Sequence, residues 1–235
     1  MNRRTFLAMT GLGVITAPEL TSGAETAQAR RELTNAVMNK SRKVAILMFN
    51  EVEVLDFCGP FEVFSVTGRR ENTKPFDVYT VAENPGPILA RNGLSVNPRH
   101  TISDCPEPDL LLVPGGQGTR KEMNNRVLTD WLIATSSRSE LLLSVCTGAL
   151  LLARAGLLDD LKATTHHGAL DLLRETAPRT TVLEGSRFVD NGKIICSAGI
   201  SAGIDMSLYV VARLLGKNQA FETAAYMEYD WKPTG

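Results

Sequence analysis

The sequence has almost no net charge: 25 Lys and Arg stand against 26 Asp and Glu, a formal balance of -1. A nucleic-acid-binding domain would carry a marked basic excess, so no nucleic-acid partner is expected. A disordered chain would combine low hydrophobicity with a large charge imbalance, and 43% of these residues are hydrophobic. Cysteine is scarce: Cys58, Cys105, Cys146 and Cys196 are too few and too scattered for a disulfide scaffold. No CxxC, HExxH or paired Cys/His spacing suggests a metal site, and no cofactor is implied. Past the first residues, no apolar run approaches the roughly 18 residues of a membrane span. Internal repeats and low-complexity segments are absent as well. What is left has the composition of a soluble globular protein. Its 235 residues are enough for one domain that buries about 70% of the unfolded surface without staples.

The chain opens on Met1-Asn2-Arg3-Arg4-Thr5-Phe6-Leu7. A mildly apolar stretch follows to Ala17, then Pro18 and a polar segment ending Ala27-Gln28-Ala29, a small-x-small cleavage site. The Arg pair before a weakly hydrophobic core resembles a twin-arginine export signal. Residues 1–29 are therefore expected to be a leader, residues 30–42 a polar linker and residues 43–230 the folded domain. The mature protein is expected to be periplasmic or otherwise exported.

Within that domain Lys43–Phe49, Phe76–Ala82, Leu110–Val113 and Leu141–Val145 are short apolar runs of the kind that form buried parallel strands. Ile88–Val96, with Asn92-Gly93 at its middle, reads as a hairpin. Thr180–Leu183, Arg187–Val189 and Lys193–Ser197 read as further strands. Helices are expected from Gly59-Pro60 to about Arg69, Arg120–Ser136, Thr147–Arg154, Ala169–Glu175, Ile200–Leu215 and Gln219–Tyr229, and Glu51–Asp56 is expected to be a loop. Strands alternating with helices predict an α/β three-layer sandwich with a mainly parallel central sheet.

The segment that carries chemistry is Leu141-Leu142-Leu143-Ser144-Val145-Cys146-Thr147-Gly148-Ala149. An apolar strand runs straight into a cysteine and then a helix of small residues, which puts the thiol on a strand-to-helix elbow. Helix N-terminal N–H groups at such an elbow lower a thiol's pKa and can hold an oxyanion. On position alone, a nucleophile and a small buried core residue both fit Cys146. Pro114-Gly115-Gly116 ends the neighbouring strand and suits a second donor of oxyanion-binding N–H groups. His166 and His167 adjoin in a segment expected to be extended, so at most one faces the site. A general base and a satisfied, partly buried histidine both fit. Of the nearby carboxylates, Glu51, Glu53 and Glu62 fit solvated positions, and Asp56 directly precedes the Gly59-Pro60 helix start.

Val145-Cys146-Thr147-Gly148-Ala149, with Pro114-Gly115-Gly116 upstream and Ala163-Thr164-Thr165-His166 downstream, resembles the ThiJ/PfpI superfamily. Leu55-Asp56-Phe57-Cys58-Gly59-Pro60-Phe61-Glu62-Val63-Phe64 and Ser197-Ala198-Gly199-Ile200-Ser201-Ala202-Gly203-Ile204-Asp205 resemble its branch of isonitrile hydratases and regulator amidase-like domains. The resemblance implies a glutamine-amidotransferase-like, flavodoxin-like fold, usually dimeric. It places Cys146 on the family nucleophile, Asp56 on its acidic partner and Thr147 on the residue after the nucleophile. His166 matches the histidine after the Thr pair, although His167 stands where many relatives carry an aromatic residue. The implied activity is hydration of a small isonitrile, with Asp56 shuttling protons. A glyoxalase, deglycase, peptidase or non-catalytic sensor remains an alternative. Asp205 reads as a helix-start residue. Cys58, two residues from Asp56, is a packing residue or a resolving thiol for Cys146.

Overall fold

The computed structural model describes residues 41–233; the expected leader and nearly all of the linker lie outside them. In chain order the elements are β1 (Arg42–Met48), α1 (Val54–Val66), β2 (Phe76–Ala82), β3 (Ile88–Leu89), β4 (Ser95–Val96), β5 (His100–Thr101), β6 (Leu110–Val113), α2 (Thr119–Glu122) and α3 (Arg126–Arg138). They continue through β7 (Leu141–Val145), α4 (Gly148–Arg154), β8 (Lys162–Ala163), α5 (Leu170–Thr176), β9 (Thr181–Val182), β10 (Phe188–Asp190), β11 (Ile194–Ser197), α6 (Ala202–Leu215) and α7 (Lys217–Tyr226).

Seven strands form one sheet in the order β10-β11-β7-β6-β1-β2-β5, with helices flanking it. Every pairing is parallel except β10 with β11. All four residues of β6 and all five of β7 are buried. Their near-continuous apolar runs are what a parallel strand needs when helices cover both faces. The α/β sandwich expected from the alternating pattern is the observed fold. The strand order reverses direction at β1, so the connections after β1 and β6 leave toward opposite faces and open a crevice at the carboxyl ends. Asp56, Gly115, Cys146 and Ile200 follow β1, β6, β7 and β11 respectively.

Two expected elements differ. α1 begins at Val54, five residues before Gly59, so Asp56 sits in the first turn of a helix and not in a loop. Pro60 is inside that helix, where its missing N–H forfeits the bond to the Asp56 carbonyl. The single helix expected over Arg120–Ser136 is two, α2 and α3. The Asn125 side chain accepts the Leu128 N–H at 3.2 Å and starts α3 afresh.

Candidate active site

Cys146 occupies the elbow between β7 and α4 with φ at 56°, the left-handed region that non-glycine residues adopt at a cost of about 1–3 kcal/mol. Its surroundings over-determine that conformation. The Cys146 N–H lies 3.2 Å from the Ser197 carbonyl and 3.1 Å from that of Ala198. Its own carbonyl accepts the Thr165 hydroxyl at 2.7 Å. Close behind it, a Cβ on Gly148 would overlap the Val113 carbonyl oxygen, so only glycine lets α4 start this near β6.

Asp56 projects from the first turn of α1 and is fully buried. Its Oδ2 accepts the Gly115 N–H at 3.0 Å and its Oδ1 accepts the Ile200 N–H at 3.2 Å. Ile200 is itself held at φ 58°, rare for a β-branched residue, and this turn aims its N–H at the carboxylate. The Asp56 carboxyl and the Cys146 thiol are hydrogen-bond partners. Burial raises the Asp56 pKa to about 7 against the pull of the Gly115 and Cys146 hydrogen bonds. Burial, then the Asp56 charge, pushes the Cys146 thiol up to about 12, with the Thr147 N–H lowering it by less. The lowering expected from the helix N-terminus is therefore outweighed: desolvation beside a carboxylate exceeds the pull of the N–H groups.

Thr147 is also buried. Its hydroxyl accepts the Gly116 N–H at 2.9 Å and lies 3.1 Å from the Gly116 carbonyl and 3.2 Å from the Thr119 hydroxyl. The Gly115 and Gly116 N–H groups, expected to bind an oxyanion, thus face Asp56 and Thr147. They position the acid and the threonine.

His166 lies on the cavity wall, and its Nδ1 accepts the Gly168 N–H at 3.1 Å. That bond leaves the proton of the neutral ring on Nε2, and burial, reinforced by His167 and Arg120, lowers its pKa. The segment turns at His166 and does not stay extended, so the two imidazoles pack with centroids 4.1 Å apart. Of the two only His166 lines the cavity beside Cys146, so one histidine faces the site as expected, although the reason is this turn and not an extended chain. Cys58 is reassigned too. Two residues along a helix are about 200° apart, so Cys58 faces away from Asp56, and it is a free, half-buried thiol. Asp205 is structural as expected, bonding Arg187 and the Tyr229 hydroxyl.

Cys146 and Thr147 form part of the wall of a cavity of about 330 Å³, with Gly116 and His166 beside them. Asp56 lies behind the thiol and does not line it. Glu53, Arg91, Gln117 and Arg120 do, and sequence reasoning did not assign them there. Arg120 sits four residues past Gly116 in the turn that the Pro-Gly-Gly motif opens, the one signal that pointed toward it. Among the described residues no group of His, Cys, Asp and Glu could hold a metal ion.

The DJ-1/PfpI family model matches residues 42–213, from β1 into α6 and across every site residue described above. The chain belongs to the DJ-1/PfpI family. Isonitrile hydratase of Pseudomonas putida is 32% identical over 187 residues, which are 80% of this chain and 78% of that protein. The HTH-type transcriptional regulator CdhR of Pseudomonas aeruginosa is 33% identical over 146 residues, 62% of this chain and 43% of the regulator. The chain thus spans less than half of that regulator. A THiJ/PfpI family protein from Pseudomonas syringae superposes with a TM-score of 0.75 at 26% identity, covering 96% of this chain and 86% of that one.

Proposed function

We propose that this family member is a cysteine-dependent hydratase that converts an isonitrile to an N-substituted formamide. The observation that carries the reading is the buried Asp56–Cys146 pair, with the thiol at the cavity and the acid behind it. The similarity to an isonitrile hydratase over most of both chains supports the choice of substrate.

The Asp56 carboxylate takes the Cys146 proton as Sγ bonds to the terminal carbon of R–N≡C. The proton passes to that carbon, giving the thioimidate R–N=CH–S. The regenerated carboxylate then deprotonates a water, whose oxygen attacks the same carbon. One water proton ends on nitrogen, the C–S bond breaks, and the other proton restores the thiol as R–NH–CHO leaves. Two easier additions replace one difficult one. His166, with its proton on Nε2, acts as a hydrogen-bond donor on the cavity wall and not as the base. The Thr147 hydroxyl, held by Gly116 and Thr119, keeps the elbow rigid.

Purified protein incubated with a simple isonitrile tests the reading: formamide should appear, and Cys146→Ala should lose nearly all of that activity. Product from a glyoxal but not from any isonitrile would replace the hydratase with another activity of the family. The similarity to regulators favours one second reading, a ligand-sensing domain, which predicts saturable binding without turnover.

The same proposal includes export before function and assembly as a homodimer. Arg3→Lys with Arg4→Lys should leave full-length precursor in the cytoplasm. Sedimentation should give twice the chain mass.

A further inference from the structure

Three charged side chains, Glu53, Arg91 and Arg120, line the cavity in front of Cys146, and they are unevenly matched. Arg91 is partnered, its Nη1 lying 3.5 Å from a Glu51 carboxylate oxygen. Arg120 is not: among the described residues its guanidinium makes no ion pair. Its Nη1 donates to the Gly116 carbonyl at 3.2 Å and to the Thr119 hydroxyl at 3.1 Å. Those two bonds anchor one guanidinium nitrogen beside the Gly116–Thr147 cluster, and Nη2 and Nε keep their donors. A held guanidinium with free donors is the geometry that suits a carboxylate, which it can meet through two parallel bonds. His166 adds a neutral donor on the same cavity, because Gly168 occupies its Nδ1. Glu53 is the opposing charge. Its carboxylate lines the cavity and pairs with neither arginine, so an anion is confined to the Arg120 side.

We propose that the substrate carries a carboxylate, which Arg120 binds while the reacting carbon lies against Cys146 Sγ. Resting on the hydratase reading for the reacting group, this makes the substrate class small isonitriles with an anionic substituent. Glu53 opposes any second negative charge, so a monoanion fits better than a dianion.

Two matched pairs of probes test it. Isocyanoacetate and 2-isocyanoacetamide differ in charge but hardly in size, and formamide formation compares them by kcat/KM. Iodoacetate and iodoacetamide differ in the same way and need no turnover. Sγ displaces iodide to form an S–CH2 bond, the thiol proton passing to Asp56, and peptide mass spectrometry reads the rate at Cys146 alone. In each pair the anion-to-neutral ratio should fall at least about tenfold in Arg120→Gln, the scale of one charge-assisted hydrogen bond. Arg120→Lys should restore part of that ratio, which separates lost charge from a disturbed Gly116–Thr119 turn. Glu53→Gln should raise the ratio, whereas a fall would point to a cationic or zwitterionic ligand and overturn the proposal. An unchanged iodoacetate-to-iodoacetamide ratio in Arg120→Gln would also overturn it. If no isonitrile reacts but the alkylation ratio depends on Arg120, the hydratase reading falls and the anion site stands.

Discussion

The Asp56 carboxyl is hydrogen-bonded to the Cys146 thiol from behind: Asp56 is fully buried, whereas Cys146 is 6% exposed and forms part of the cavity wall. Substrate can therefore touch the sulfur, with the acid directly behind it to exchange protons during the reaction. Since neither group is solvated, the state with one shared proton is the reactive one, and the pair titrates as a unit.

Turnover is expected to rise with pH through about 7, where Asp56 loses its proton, and then to hold level until the thiol titrates toward 12. Asp56→Asn should lower the rate and remove the rise near 7. Initial rates from pH 5 to 10 for both proteins check this, and a wild-type profile flat across neutrality would contradict it.

Stability should carry the same signature with a defined sign. The Asp56 pKa is about 7 when folded against an ordinary 3.8, so the folded state holds a proton that the unfolded state has released. The contribution is complete below pH about 4 and is lost as pH rises through 7, at about 1.4 kcal/mol per pH unit in between. Asp56→Asn abolishes that slope. Its Tm should gain on the wild type between pH 4.5 and 7.5, whatever constant offset arises from facing two N–H donors with an amide.

Cys146→Ala is expected to reduce turnover by on the order of 10³-fold or more while the protein stays folded. Cys146→Ser should be nearly as inactive, because a hydroxyl beside Asp56 is a far weaker nucleophile. Circular dichroism and formamide formation together check both variants.

His166→Ala should cost about tenfold or less, the worth of one hydrogen bond, and leave the pH profile unchanged. A loss as large as that of Cys146→Ala, with the rise near 7 displaced, would identify His166 as the base.

Gly148→Ala should fail to fold, or lose about 3 kcal/mol or more, since its Cβ would overlap the Val113 carbonyl and backbone cannot step aside. Gly199→Ala meets the His166 ring instead, a side chain that can rotate. It should stay folded and affect turnover. Urea midpoints for the two variants separate these outcomes.

The sheet and the elbow were legible in the chain of residues alone. β6 and β7 are apolar at nearly every position because both their faces are covered, and that pattern is written in a handful of adjacent residues. The strand, Cys146 and the small-residue helix after it are equally local. The motif resemblance also named Asp56 as the acid without locating it. The chemical character of these residues depends on contacts between segments far apart in the chain. The partners of Asp56 lie 59 and 144 residues away in the chain, at Gly115 and Ile200. Local pattern showed neither that the Gly115 and Gly116 N–H groups face inward nor that Pro60 sits inside a helix and turns Cys58 away. It also did not show that Arg120 lies beside the cavity without a carboxylate partner. The reversal at Cys146 has the same origin. A helix N-terminus that lowers a thiol's pKa is encoded by neighbours, whereas the desolvation that raises it comes from the packing of distant strands and helices around the site.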